Sequence, residues 1–422
     1  MKILVHDYAG HPFQIHLSQT LAARGHHVTH LYFSEDPGPK AAFARGTDTR
    51  TSLRVEAIAV GHGYDKTSLV QRRFKDREYG RRVADFIQSL APDVVISGNT
   101  PTEAQSLIIR RCKSMGIRFV YWLQDFYSIA ATVLLQRRIG VLGLPVGWYY
   151  QLLERRQLRD SHAVVAITDD FVQRAATWSG NREKVVVIEN WAAVGDIRPR
   201  PKANPWSRAH ALDGYLNFVY AGTLGAKHKP ELLAQLAAKN WPGTRIVVVA
   251  EGIGVRHLTE ARSARALPQL TLLPLQPAEA LPDVLGTSDV LVAMIDRDSG
   301  RFAVPSKVQS YLCAGRPILL AAPRENLAAR TVIRANAGIV VDPDDTEGFL
   351  AAAAELRADP HLREQLGANG RAYAERVFDV ERITDAFEQV LSGEREPACN
   401  ARSRDRPEPL ARGKAAVAAT LR

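Results

Sequence analysis

Three short stretches in the second half of the chain place glycine or a helix start beside a cation. They are Gly222-Thr223-Leu224-Gly225-Ala226-Lys227, Glu251-Gly252-Ile253-Gly254-Val255-Arg256 and Pro305-Ser306-Lys307. The first two follow apolar runs that read as strands. Glycine lets a backbone approach a phosphate closely, and the cation a few residues on neutralises it. A tight turn with positive φ is the competing reason for each glycine. Three such stretches in one region point to a diphosphate. Ser306 is a favoured helix N-cap, and Pro305 sets the entry of the chain. A helix starting there would offer N–H groups and a partial positive charge, to which Lys307 adds a full one. The pattern GxxxxGK[ST] is absent, which excludes a P-loop nucleotidase.

These stretches need a scaffold to bring them together, and the chain is long enough for two domains at 422 residues. The first half alternates apolar strands at 2–5, 28–33, 93–97, 118–123, 162–167 and 184–188 with helices at 10–24, 68–90, 102–115 and from 170. The second half repeats the scheme, with strands at 217–221, 244–249, 270–273, 289–293, 318–321 and 339–341. Strands separated by helices predict two doubly wound, Rossmann-like α/β units with parallel sheets. The stretch RPRPKANPW, with three prolines and no periodicity, reads as a linker. The expected divisions are a first unit over 1–197, a linker over 198–208, a second unit over 209–377 and a closing helix over 378–392. Helices are expected at 346–357, 360–377 and 380–391, then a basic, disordered tail over 393–422. Ligands of such sheets bind beyond the carboxyl ends of the strands, so the cleft between the units is the expected site.

Bulk composition narrows the class. Net charge is +10, and the tail from Gly393 holds seven basic and four acidic residues, so the folded part is itself basic. Such a surplus favours anionic partners. A nucleic-acid binder is one class compatible with that charge, but no DNA- or RNA-reading motif occurs and aromatics are sparse on the basic stretches. Three scattered cysteines suit neither a disulfide framework nor a zinc site and indicate a reducing compartment. The N-terminus is too short for a signal peptide and reads as the first strand. No run of 18 apolar residues predicts a spanning helix.

Several further stretches stand in a definite order along the chain: AGHPFQIHLSQTLAARGHHVTHLY, FVYWLQDFY, DSHAVVAITDDFVQR with KVVVIENWA, FVYAGTLGAK, VVVAEGIGVR, LLPLQPAEALPDVLGTSDVLVAMI, VPSKVQSYLCAGRPIL and LREQLGANGRAYAERVFD. Together they resemble the retaining glycosyltransferases of family 4, which have the two-domain GT-B fold. The likeness is greatest to the bacterial subgroup that builds exopolysaccharide, colanic acid or O-antigen. The likeness extends over nearly all of residues 1–392, and it is the order and spacing of these stretches that is specific. It implies a nucleotide-sugar donor held by the second unit and an acceptor held by the first. Lys227 and Arg256 would face the diphosphate, with Lys307 and Ser306 near phosphate or sugar and the base near Gln276. Gly222, Thr223, Glu251, Gly252, Gly254, Pro305 and Ser310 complete the implied donor site, and Gly10 and His11 face the acceptor or donor.

The chain departs from the family at several points. Many members carry two glutamates with seven residues between them, the second five residues before a glycine; Phe302 and Ser310 stand in those places. Asp296 and Asp298 stand in the preceding loop, as substitutes for those acids or as solvated loop residues. Many members also place a histidine where Asp125 stands, after the strand at 118–123. A carboxylate there would bind a sugar hydroxyl or steer developing positive charge, or else cap a turn. His6 and His16 read as structural.

The resemblance implies that the acceptor attacks on the face the nucleotide leaves, with Asp125, Lys227 and Lys307 carrying the chemistry. It requires no metal or other cofactor. It also suggests a polyprenyl-diphosphate-linked acceptor and a cytoplasmic enzyme at the inner face of the plasma membrane. Residues 139–153, IGVLGLPVGWYYQLL, carry no charge and are flanked by arginine pairs. This run suits a headgroup interface, or alternatively a buried helix on the sheet. A nucleotide-sugar epimerase would share the architecture, but it needs clustered acid–base groups by the glycine loops, where few occur.

Overall fold

A computed structural model describes residues 1–35, 52–61, 69–301 and 303–393. The expected basic tail, apart from Gly393, and Phe302 lie outside the described residues. Two parallel sheets carry the chain. The first has the order β3-β2-β1-β4-β5-β6-β7 and the second β10-β9-β8-β11-β12-β13. In each, the strand order reverses beside the first strand of the unit, the place where doubly wound sheets open a crevice for ligand.

The first sheet comprises β1 (Lys2–Asp7), β2 (His27–Phe33), β3 (Leu53–Ile58), β4 (Val94–Gly98), β5 (Arg118–Leu123), β6 (Ala163–Ala166) and β7 (Val185–Val187). Its central strands are almost wholly buried, because helices cover both faces. Strand β3 is absent from the sequence reading. It is an edge strand whose Arg54 is exposed, so it shows no apolar run. Helices α1 (Pro12–Ala23), α2 (Leu69–Leu90), α3 (Thr102–Ser114), α4 (Tyr127–Ile139), α5 (Gly143–Asp160) and α6 (Asp169–Ser179) complete this unit.

The expected linker is extended only in part, since α7 (Pro205–Ala209) begins inside it with an Asn204 capping box. The second sheet comprises β8 (Leu216–Ala221), β9 (Thr244–Val249), β10 (Leu270–Leu273), β11 (Val290–Met294), β12 (Ile318–Ala321) and β13 (Gly338–Val341). Around it lie α8 (Glu231–Ala238), α9 (Ile253–Ala264), α10 (Leu281–Gly286), α11 (Lys307–Ala314), α12 (Leu327–Ala335), α13 (Thr346–Ala358) and α14 (Pro360–Val377). The closing helix α15 (Val380–Ser392) returns to the first unit. There Arg24 meets Glu381 at 2.7 Å and Glu388 at 2.6 Å, and Phe387 packs 4.7 Å from the Trp122 ring. Arg330 of α12 also pairs with Asp170 of α6 at 2.7 Å.

The uncharged run at 139–153 ends α4, crosses a short turn and fills most of α5. Much of it faces solvent: Val141 is 76% exposed, Leu142 75% and Trp148 64%. Only its small residues, Gly143 and Gly147, are buried. Among the described residues no helix is long and apolar enough to cross a membrane.

Candidate active site

The loop after β8 and the head of α11 meet around the Lys307 side chain. Tyr311 fixes α11 against β8, its hydroxyl taking the Ala221 N–H at 3.0 Å and donating to the Ala221 carbonyl at 3.2 Å. Lys307 lies one helical turn earlier on the same face. Its ammonium donates to the Tyr220 hydroxyl, lies 3.7 Å from the centre of that ring and reaches the Thr223 carbonyl at 3.4 Å. These partners are neutral oxygens. Burial drives the Lys307 pKa well down, and the charge of Lys227 lowers it further. Gly222, at φ 118°, brings its backbone against this side chain; a Cβ there would sit 3.6 Å from Lys307 Cε.

His228 is buried in the same turn, its Nδ1 accepting the Gly225 N–H at 2.9 Å. Its pKa falls to about 3 through burial, then the charges of Lys307 and Lys227. Lys227 itself is exposed, and its carbonyl accepts the Asp296 N–H at 2.8 Å. Two lysines therefore crowd a buried, neutral histidine, and an anion would relieve the repulsion between the lysines.

The expectation that Ser306 caps α11 is not met. Ser306 is itself helical, at φ −60° and ψ −24°, and its side chain makes no cap bond. The N–H groups of Val308 and Gln309 already donate to the Pro305 and Ser306 carbonyls, both at 3.2 Å. Any attraction of this end for anions therefore comes from the neighbouring Lys227 and Lys307 side chains rather than from a row of free helix N–H groups. Pro305 is buried, Ser306 exposed and Ser310 half-buried.

The second glycine stretch has a packing role. Leu224 N–H donates to the Glu251 carbonyl and Gly254 N–H to the Leu224 carbonyl, both at 2.8 Å. A Cβ on Gly254 would meet Leu224 Cγ at 2.5 Å, so the two loops fit only without that side chain. Glu251, Gly252 and Arg256 are exposed at the start of α9. Both ends of the Gln276 amide are engaged, accepting from Trp206 Nε1 at 3.1 Å and donating to the Pro274 carbonyl at 2.9 Å. Asp296 is a turn acid, accepting the Ser299 N–H at 2.6 Å and its hydroxyl at 3.0 Å.

Across the crevice, Asp125 stands in the loop between β5 and α4. Burial pushes its carboxyl up to about 7, with Lys227 close enough to pull partly the other way. The two units thus bring Asp125, Lys227 and Lys307 into one electrostatic neighbourhood. Asn190 sets the relation between them: it exchanges bonds with Gln124 at 2.5 and 3.2 Å, while its carbonyl accepts from Gln309 of α11 at 3.0 Å. At the first loop, Asp7 holds Gly10 N–H at 2.9 Å, and His11 stacks on Phe13 at 5.3 Å. His6 is fully enclosed by Ser97 and Tyr79, each at 2.8 Å.

Several residues here have no role in the sequence reading, among them Tyr220, His228, Asn190, Tyr311, Asn99 and Glu154. Asn99 sits at φ 54° beside Asp125, and its buried Nδ2 finds no partner. Glu154 of α5 is fully buried and binds the start of α4. The sequence signal for Asn99 is Ser97-Gly98-Asn99 at a strand end. Glu154 carries no such signal; in the sequence it stands between the uncharged run and the pair Arg155-Arg156.

Residues 14–191 match the glycosyl transferase 4-like domain. Over 286 residues the chain is 24% identical to WcaI of Escherichia coli K12, assigned to colanic acid biosynthesis as a glycosyl transferase, with 67% of this chain and 69% of that one covered. Among solved structures, Anabaena Alr3699/HepE in complex with UDP superposes with a TM-score of 0.67 at 16% identity, over 93% of this chain and all of that one. WaaG, a glycosyltransferase of lipopolysaccharide biosynthesis, gives 0.66 at 15% identity over 93% and 100%. Two facing parallel-sheet units of this kind define the GT-B architecture. The chain is a glycosyltransferase of that architecture, and residues 14–191 carry its similarity to the glycosyl transferase 4-like domain.

Proposed function

We propose that the chain moves a hexosyl or N-acetylhexosaminyl group from a nucleoside-diphosphate donor to a saccharide acceptor, with retention, in building a cell-surface polysaccharide. The crowding of Lys227, Lys307 and His228 opposite Asp125 carries this reading. A diphosphate between the two lysines relieves their repulsion and restores the charge of Lys307. The base is uracil by analogy with Alr3699/HepE, which is solved with UDP and with UDP-glucose. WcaI and WaaG support the polysaccharide setting.

In the proposed reaction the bond from the anomeric carbon to the diphosphate oxygen breaks, and the acceptor hydroxyl bonds to that carbon on the same face. The departing diphosphate oxygen takes the acceptor proton. The lysines stabilise the leaving charge without a metal. Asp125 accepts a sugar hydroxyl and stabilises positive charge developing on the ring. The acceptor is polyprenyl-diphosphate-linked, and the exposed face of the α4–α5 hairpin rests on the cytoplasmic membrane surface.

A thermal-shift comparison of UDP, GDP, ADP and dTDP, with and without Mg²⁺, tests the donor site. UDP should stabilise the protein without metal. If none of the four shifts the melting point, the donor reading fails.

A further inference from the structure

Asp125 stands two residues before α4, and the first turn of α4 is held by a side chain from another helix. Glu154 of α5 accepts the Tyr127 N–H at 3.1 Å, the Ser128 N–H at 3.3 Å and the Ser128 hydroxyl at 2.5 Å. It is fully enclosed by protein. A buried carboxylate on free helix N–H groups fixes both the helix start and the loop leading into it.

The seam continues away from the site. Thr132 Oγ1 donates to the Ser128 carbonyl at 2.7 Å and accepts from Gln151 at 3.3 Å. A Cβ on Gly147 would meet Thr132 Oγ1 at 2.5 Å, and one on Gly143 would meet the Leu135 backbone at 2.7 Å. The two helices therefore pack closely at both glycines, Gly147 against the Thr132 side chain and Gly143 against the Leu135 backbone. Glu154 is the polar end of that seam, nearest the reacting groups.

We propose that Glu154 is a positioning residue for Asp125, clamping the Asp125–Ser128 segment so that the carboxylate stays aimed into the crevice. The inference rests on the role given above to Asp125, but its clamp is measurable without any donor. Lys227 acts on Asp125 and Asp125 on Glu154 through charge, and Glu154 also interacts with Tyr121 and Ser128. Burial raises the Glu154 carboxyl to about 7, its bonds from Ser128 and Tyr127 oppose that rise, and Asp125 adds to it. The pair thus shares one poorly solvated space.

Replacing Glu154 by leucine keeps the bulk and removes every acceptor. In full-length Glu154→Leu, amide exchange at Tyr127 and Ser128 should rise by about tenfold or more, with the core strands unchanged. The carbonyl band of protonated Asp125, identified by its loss in Asp125→Asn, should titrate near pH 7 in wild type. Losing a neighbouring negative charge and loosening the loop both lower that midpoint, by about one unit. Glu154→Gln keeps one acceptor and should restore most of the exchange protection. Should the leucine variant fail to fold, Ser128→Ala removes only the hydroxyl partner and should raise exchange by a smaller factor. Unchanged exchange and an unchanged Asp125 midpoint in the folded variants would overturn the proposal. Stabilisation by UDP, measured on the same variants, should persist; its absence in wild type as well would indict the donor reading and leave the clamp standing.

Discussion

The two sides of the crevice treat buried charge in opposite ways. On the β8 side, Lys307 is held by the Tyr220 hydroxyl and the Thr223 carbonyl and is repelled by Lys227. On the β5 side, Asp125 and Glu154 are both pushed up to about 7, and Glu154 is braced by N–H and O–H donors. The first side gathers positive charge with no carboxylate among these contacts. The second braces Glu154 with donors from the start of α4 and leaves Asn99 Nδ2 beside Asp125 without a partner. Ligand affinity should therefore reside mainly on the β8 side and turnover on the β5 side.

The largest expected effect breaks the comparison at Asp125. In Asp125→Asn, donor consumption should fall by roughly 10²- to 10³-fold, while UDP binding stays within about twofold; steady-state kinetics and calorimetry separate the two. Equal loss of both would erase the distinction between the sides.

The next effect sharpens the β8 side. Gly222 at φ 118° lies against Lys307, so Gly222→Ala strains the backbone. Urea unfolding should show a loss of about 1–3 kcal/mol, accompanied by weaker UDP binding. Gly25 has φ 88° with open space around its Cβ position. Gly25→Ala should therefore cost stability without touching nucleotide affinity.

A pH series tests the β5 side. A carboxyl raised to about 7 in the folded state binds its proton more tightly there than when unfolded. Its contribution to stability is full below the unfolded value and is lost as pH rises through 7. Asp125→Asn should thus gain stability relative to wild type between pH 5 and pH 8. A constant difference would mean that Asp125 titrates as an ordinary exposed acid.

The smallest effect concerns the hairpin. Trp148 is 64% exposed, so Trp148→Ser should change stability by no more than about 0.5 kcal/mol. Sedimentation with vesicles containing anionic lipid should nonetheless fall for this variant. Undiminished vesicle binding would remove the hairpin from the membrane account.

Much of the fold is legible in the sequence because buried parallel strands such as Val94–Gly98 and Thr244–Val249 are continuous apolar runs. Strand β3 is not, since Arg54 interrupts it at a solvated edge. Lys227, Lys307 and Asp125 announce themselves by standing at strand ends or a helix head. Glu154 is hidden, because its partners at Tyr127 and Ser128 are 27 and 26 residues away and nothing local marks it. Ser306 is the converse: local preference suggests a cap, but the chain is already helical there and its side chain caps nothing.

The central claim, a diphosphate site completed by an anion, is tested most directly by titrating UDP into wild type and Lys307→Ala without metal. At about 100 times its dissociation constant, UDP should stabilise wild type by roughly 2.7 kcal/mol, and the variant should lose most of that. Equal stabilisation of both proteins would contradict the account, because the nucleotide would then bind without the charge at the head of α11.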